Sequence, residues 1–112
     1  MNAASRLPYY DVRSILMVVA IRSFSCADTE AFWGGARVAR FQNFMSVAIR
    51  KLQMLNAATT LNALAAVPGN RLEPLKGNRL GQHSIRINDQ WRLCFKWQQP
   101  DAYDVEITNH YT

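Results

Sequence analysis

The spacing of apolar residues changes period partway along the chain. Over residues 39–57, Phe41, Phe44, Met45, Ala48, Leu52, Leu55 and, just beyond, Ala58 recur every three or four positions. That is one apolar stripe on an amphipathic helix. Arg50, Lys51 and Gln53 lie largely off it. Beyond residue 83 the period is two. Ile85 and Ile87 alternate with Ser84, Arg86 and Asn88, and Trp91, Leu93, Phe95 and Trp97 alternate with Arg92, Cys94 and Lys96. Such alternation predicts strands with one buried face. Asn88-Asp89-Gln90 reads as the turn of a hairpin, and Gln98 to Asp101, with Pro100, as the next turn. A last strand is predicted from Tyr103 to Tyr111, with Val105 and Ile107 on one face.

The front of the chain adds fewer signals. Ile15 to Phe24 is rich in Ile and Val and reads as a first, buried strand. Ser25 and Asp28 give an S-x-x-D start to a short helix over 27–33, which Gly34-Gly35 stops. Thr60 is placed to cap one more helical turn, through Ala65, and Pro68-Gly69 closes the helical half. The expected fold is therefore α+β: an N-terminal strand, then two to three helices packed on one face of an antiparallel sheet that ends in a three-strand meander. One sheet face carries Ile85, Ile87, Trp91, Leu93, Phe95, Trp97, Val105 and Ile107 toward the long helix. The other carries Ser84, Arg86, Arg92, Lys96, Glu106, Thr108 and His110. That face suits an anionic ligand as well as it suits plain solvent.

Composition narrows the classes. The 112 residues are 49% hydrophobic and 19% charged, which fits one globular domain and excludes a disordered chain. The net charge of +5 favours an anionic partner without choosing among nucleic acid, an acidic protein and a membrane surface. Cys26 and Cys94 form no CxxC pair, so they read as reduced thiols of a cytoplasmic protein and not as zinc ligands. The apolar run Ile15 to Ile21 is too short to span a bilayer, and Arg22 follows it with no small-residue cleavage site. Residues up to about 13 read as a loose tail.

The stretch GNRLEPLKGNRL, residues 69–80, writes Gly-Asn-Arg-Leu twice. Four residues repeated at an offset of eight cannot be an architectural repeat, which needs about 20 residues or more. The copies thus do two jobs. The first leads the chain off the helices, with Leu72 and Leu75 as anchors. The second is a turn feeding the hairpin, with Gly77 and Gly81 giving tight backbone and Leu80 expected to pin it. Arg71, Lys76 and Arg79 gather here beside the basic sheet face, a grip suited to phosphate.

The segment RLEPLKGNRLGQHSIRINDQWRLCFKW, with VEITNHY near the end, resembles the RelE/ParE-like toxins of bacterial toxin–antitoxin modules, most closely the HigB branch. IRSFSCADTEAFWGG and VAIRKLQMLNAATTLNAL are similar to that branch too. The resemblance covers roughly residues 20 to 111. It implies a RelE-like fold with helices on one side of the sheet and the active surface on the other. It divides the chain into an N-terminal extension, 1–19, and a toxin domain, 20–112. It implies a metal-independent endoribonuclease, without cofactor, that cuts mRNA on the ribosome and so inhibits translation. The RNA 2′-hydroxyl attacks the adjacent phosphate, leaving a 2′,3′-cyclic phosphate and a free 5′-hydroxyl. The implied partners are a helix-turn-helix antitoxin of the HigA kind, mRNA and the ribosome. No membrane and no specific DNA contact are expected of this chain.

Residue by residue, Lys76 matches the lysine of the family's L-K-G segment, Arg79 the arginine after it, and Arg92 the arginine after the strand tryptophan. Lys76 and Arg92 are assigned by this match to the scissile phosphate, with Arg71, Arg79, Arg86 and Lys96 holding flanking RNA. The branch closes with Asp-Tyr-His, where this chain has Asn109-His110-Tyr111. His110 shares the parity of Glu106 and Thr108 and so is expected on the basic face as acid or base, with Tyr111 at the rim, able to stack on a base. His83 is expected as a hydrogen-bonded residue at a strand start, Glu73 as the ion-pair partner of Arg71 or Lys76, and Trp91 and Trp97 as core. Two other functions compete. One is a ParE-like toxin that blocks a target such as DNA gyrase by binding alone. The other is a plain basic RNA-binding domain, which the lack of an aromatic stacking motif disfavours.

Overall fold

The structure is a computed structural model that describes residues 20–111. The extension 1–19, and with it the first half of the predicted strand over 15–24, lies outside the described residues. What is described of that strand runs parallel to the last one, as single bridges at Ile21–Ala102 and Phe24–Val105. Its backbone is held there by Arg22 N donating to Ala102 O (2.8 Å) and Val105 N donating to Ser23 O (3.0 Å).

Helix α1 spans Ala27–Trp33. Its cap residue is Cys26, with no side-chain bond to the helix; Ser25, expected as the cap, instead donates its hydroxyl to Asp104 O at 3.1 Å. The competing acceptor comes from the strand alongside, a tertiary contact that the local motif cannot foresee. The buried Thr29 of α1 accepts at 3.0 Å from Ile107 N. It thereby satisfies an edge N–H just past the point where the parallel N-terminal segment stops pairing.

The predicted long helix is two pieces: a 3₁₀ segment, Ala39–Phe44, and α2, Met45–Ala57. In the tighter 3₁₀ coil Phe41 and Phe44 eclipse and both are buried. Met45, one residue round from Phe44, falls at the edge of the stripe and is 42% exposed. Lys51 is the reverse case: it stands one turn before Leu55, on the buried face, with only 7% of its surface exposed. Helix α3 covers Leu61–Ala65, and Thr60 caps it as expected, its Oγ1 accepting from Ala63 N at 3.1 Å.

The sheet has four antiparallel strands in the order β1–β2–β3–β4. These are Glu73–Pro74, Gln82–Arg86, Arg92–Gln98 and Asp101–Thr108. The meander is as predicted; β1 is an addition, pairing Glu73 with Ser84 and Pro74 with His83. A proline is tolerated there because the outer side of an edge strand donates to nothing. The last strand stops at Thr108 and not at Tyr111. A bulge lies between Cys94 and Lys96, opposite Asp104, whose φ is 53°. The extra residue preserves the inward alternation of Ala102, Val105 and Ile107.

The inner face packs on α2 as expected. Ile85, Ile87, Leu93, Phe95, Val105 and Ile107 join Phe41, Ala48, Leu52 and Leu55 in one buried cluster, with Trp91 and Trp97 partly buried against it. Each fully buried aliphatic or aromatic side chain contributes about 1.5–3 kcal/mol. Among the described residues no helix is long and apolar enough to cross a membrane.

Candidate active site

The loop from Pro68 to Leu72 fixes one wall of the site. Asn70 is fully buried in it and makes all its bonds within the fold. Its Nδ2 donates to Leu64 O at 3.0 Å, its carbonyl accepts from Arg86 N at 2.7 Å, and its Oδ1 accepts from Lys51 Nζ. Burial holds the Lys51 amine below the usual lysine range, and the Arg50 and Arg86 charges push it the same way. Past Asn70 the chain turns through Arg71, in the left-handed region at φ 46°. The Arg71 carbonyl accepts from Nη2 of Arg92.

Arg92 is the centre of the arrangement. Its side chain is only 8% exposed, so the predicted solvent-facing cation is in fact an embedded one. Nε donates to Ser84 Oγ at 2.6 Å, Nη2 reaches Ser84 O at 3.3 Å, and Nη1 lies 3.5 Å from Glu73 Oε2. The ring of Tyr111 stands over the guanidinium, 5.9 Å from its carbon to the ring centroid. Glu73 thus pairs with Arg92 and not with Arg71 or Lys76, because β1 carries the carboxylate to the sheet edge beside Ser84.

Beside this cluster lies a cleft of about 420 Å³ lined by Glu73, Pro74, Leu75, Lys76, Gly77 and Tyr111. Lys76 precedes a 3₁₀ turn, Gly77–Arg79, that opens with Gly77 at φ 59° and is followed by Gly81 at φ 95°. Both angles favour glycine, which explains the second Gly-Asn-Arg-Leu. Leu75 is buried, as predicted of an anchor. Leu80 is not: the turn gives the inward position to Arg79 and leaves Leu80 80% exposed.

The six predicted cations divide sharply. Arg92 pairs with Glu73, Arg79 with Glu106 (3.0 Å), Arg86 with Asp89 (2.6 Å) and Lys96 with Asp104 (3.2 Å). Of these six, Lys76 and Arg71 make no side-chain ion pair among the described residues. Arg79, Arg86 and Lys96, expected to hold RNA, thus each stand beside a carboxylate of the protein itself. Alternation shows which residues share a face but not which acids pair with which cations.

His110 lies beyond β4, so strand parity does not reach it; its carbonyl accepts from Arg79 Nε at 2.8 Å, and the residue is exposed. Tyr111, expected at the rim, is the residue that reaches the Arg92 cluster. His83 faces the core side, stacked near Phe95 at 6.4 Å, and its buried Nδ1 has no hydrogen-bond partner among the described residues. The expected hydrogen bond is absent because 83 shares the inward parity of Ile85. Cys94 sits on the outer face opposite Ser84 and Glu106, fully buried beneath these pairs.

Two residues of the site have no role among the expectations from sequence: Asn70, in the first Gly-Asn-Arg-Leu, and Ser84, on the outer face of the sheet. Neither carries a local signal of a buried bond to a partner far along the chain.

The family model for HigB, a RelE-like toxin of type II toxin-antitoxin systems, matches residues 34–111. Toxin HigB-1 of Vibrio cholerae is 44% identical over 61 residues, 54% of this chain and 64% of that protein. Endoribonuclease HigB of Proteus vulgaris is 34% identical over 65 residues, 54% of this chain and 65% of that protein. An uncharacterized protein of Haemophilus influenzae is 34% identical over 68 residues. The chain thus spans about two thirds of the length of the curated relatives it matches.

Proposed function

Because the chain belongs to the HigB-like family of RelE-like toxins, we propose that it is the toxin of a type II toxin–antitoxin pair and acts as a metal-independent endoribonuclease on mRNA. One observation carries this reading. Lys76, Glu73 and Tyr111 line a single cleft, and the embedded Arg92 contacts both Glu73 and Tyr111. For cleavage by a neighbouring 2′-hydroxyl, a carboxylate can serve as the base and two cations can stabilise the charge on phosphorus.

In the proposed reaction Lys76 and Arg92 hold the scissile phosphate and stabilise charge on the phosphorane. Glu73, 3.5 Å from Arg92 Nη1, removes the 2′-hydroxyl proton. The 2′-oxygen bonds to phosphorus, the bond to the 5′-oxygen breaks, and His110 on the adjoining arm delivers a proton to that oxygen. The product is a 2′,3′-cyclic phosphate and a 5′-hydroxyl. Tyr111 stacks on a base or orients Arg92. Arg71, in the loop against Arg92, is the cation left to hold flanking RNA. The ribosome supplies the substrate in a fixed geometry. An antitoxin of acidic surface is the expected partner of a +5 chain, and the reading places the protein in the cytoplasm.

The test is incubation with programmed ribosomes and a defined mRNA, with primer extension to map cuts, for the native chain and for Lys76→Ala, Glu73→Gln and Arg92→Ala. Cuts in the ribosomal A site that are lost in the variants support the reading. Growth arrest in cells without any cut would replace it with a toxin that blocks its target by binding.

A further inference from the structure

Arg79 is the residue whose observed contacts depart furthest from its expected role. It was expected to hold RNA. In the structure its three guanidinium nitrogens are all engaged within the protein. Nη1 donates to Gln82 Oε1 at 3.1 Å, Nη2 to Glu106 Oε1 at 3.0 Å and Nε to His110 O at 2.8 Å. The side chain is only 18% exposed.

These three acceptors stand on different pieces of the fold. Gln82 begins β2, Glu106 lies in β4, and His110 belongs to the arm that leaves β4 at Thr108. Arg79 itself ends the turn that Lys76 begins, tied to it by Arg79 N donating to Lys76 O at 3.0 Å. Among the described residues the arm has one further hydrogen bond, His110 N to Thr108 Oγ1 at 3.0 Å, which is local to the arm. The Arg79–His110 bond is therefore the hydrogen bond that joins the Lys76 turn to the segment carrying His110 and Tyr111.

We infer that Arg79 is a positioning residue: it clamps the C-terminal arm to the Lys76 turn, and so sets the width of the cleft between Lys76 and Tyr111. Its charge is neutralised by Glu106, and its planar fork serves three fixed acceptors, a task that arginine performs and lysine cannot. The catalytic consequence rests on the nuclease reading; the clamp itself does not. Loss of the clamp frees Tyr111 from Arg92 and lets the two sides of the cleft drift, and a displacement of about 1 Å costs on the order of a hundredfold in rate.

Three variants separate a clamp from a phosphate ligand. Arg79→Met keeps the apolar stem and removes the donors. Arg79→Lys keeps the charge without the fork. Glu106→Ala leaves the arginine in place but releases it from its carboxylate. Amide hydrogen exchange of His110, whose N–H is bonded to Thr108 Oγ1, reads how firmly the arm is held. Anisotropy of a labelled single-stranded RNA oligonucleotide across salt concentrations counts phosphate contacts, each of which contributes about 0.7 to the logarithmic slope.

The clamp predicts that exchange of the arm rises about tenfold or more in Arg79→Met and Arg79→Lys and by less in Glu106→Ala, which keeps the Nε–His110 bond, that the salt slope stays at the native value, and that cleavage loses kcat with KM little changed. Unchanged exchange of the arm overturns the inference. So does a slope shallower by about 0.7 in Arg79→Met, with a steeper slope in Glu106→Ala, which identifies Arg79 as a phosphate ligand. If the native chain cuts no mRNA, the nuclease reading fails, while exchange and salt slope still decide the clamp.

Discussion

Arg92 Nε and Ser84 Oγ meet at 2.6 Å, diagonally across the β2–β3 pair, since the direct partner of Ser84 is Cys94 and that of Arg92 is Arg86. The serine holds a guanidinium that is otherwise bound by two backbone carbonyls and one carboxylate. Removing it leaves a buried charged donor unpaired. Ser84→Ala should lower stability by about 1–3 kcal/mol, seen as a lower urea midpoint at unchanged slope. It should also slow mRNA cleavage by about tenfold, a loss of about 1.4 kcal/mol of barrier stabilisation. A variant as stable and as active as the native chain would show that Arg92 is held without the serine.

Lys76 is the opposite case. It is exposed at the mouth of the cleft and makes no ion pair among the described residues. Lys76→Ala should change stability by no more than about 0.5 kcal/mol, while cleavage falls around a hundredfold, about 3 kcal/mol of lost charge stabilisation. Thermal melts and primer extension on the same preparation check both halves. A loss of activity accompanied by a large drop in melting temperature would make Lys76 structural.

The period-two alternation of Ile85 to Trp97 and the stripe of α2 made the two layers legible, because repeated burial on one face imposes a pattern over many residues. The site was legible in its residue types and less so in its pairings. Lys76 and Tyr111 line one cleft, and Tyr111 stands over Arg92. That Glu73 reaches Arg92 depends on β1, a two-residue strand with no periodicity to read, and that Arg79 serves Glu106 and His110 depends on a 3₁₀ turn almost as short. The exchanged ending His110-Tyr111 was read by strand parity, and parity fails where the strand stops at Thr108. Lys51 was set off the apolar stripe because it is charged, although its angular position is inside it; its partner Asn70 lies 19 residues on.

The Lys51–Asn70 pair tests how the loop behind Arg92 is held. Asn70→Ala strips the buried amine of its acceptor and should cost about 3 kcal/mol or more. Lys51→Met in the same chain should recover much of that loss, giving a clear coupling energy in a double-mutant cycle. The pH dependence has a definite sign. Burial, then Arg50 and Arg86, lower the Lys51 pKa below its ordinary 10.5. The unfolded chain therefore keeps this proton to higher pH than the folded one, and the Lys51 contribution to stability rises as pH climbs toward 10.5. Lys51→Met should remove that rise. A native pH profile that matches the variant's would mean the amine is not desolvated.

Cys94 shows the reverse linkage. Burial pushes its thiol up to about 11, an effect that Glu106 and Glu73 reinforce and that Arg79 and Arg92 oppose. The folded protein holds the thiol proton after the unfolded chain has lost it, so stability should fall as pH rises from 9.0 toward about 11. Cys94→Ala should flatten this fall, whatever the cavity costs at neutral pH. A thiol kept neutral and fully covered is also a poor nucleophile. At pH 8 iodoacetamide should modify Cys26, which is partly exposed, and leave Cys94 intact until denaturant is added. Rapid labelling of Cys94 in the native protein would mean that the ion pairs above it open readily, and that the outer face of the sheet is looser than its bonds indicate.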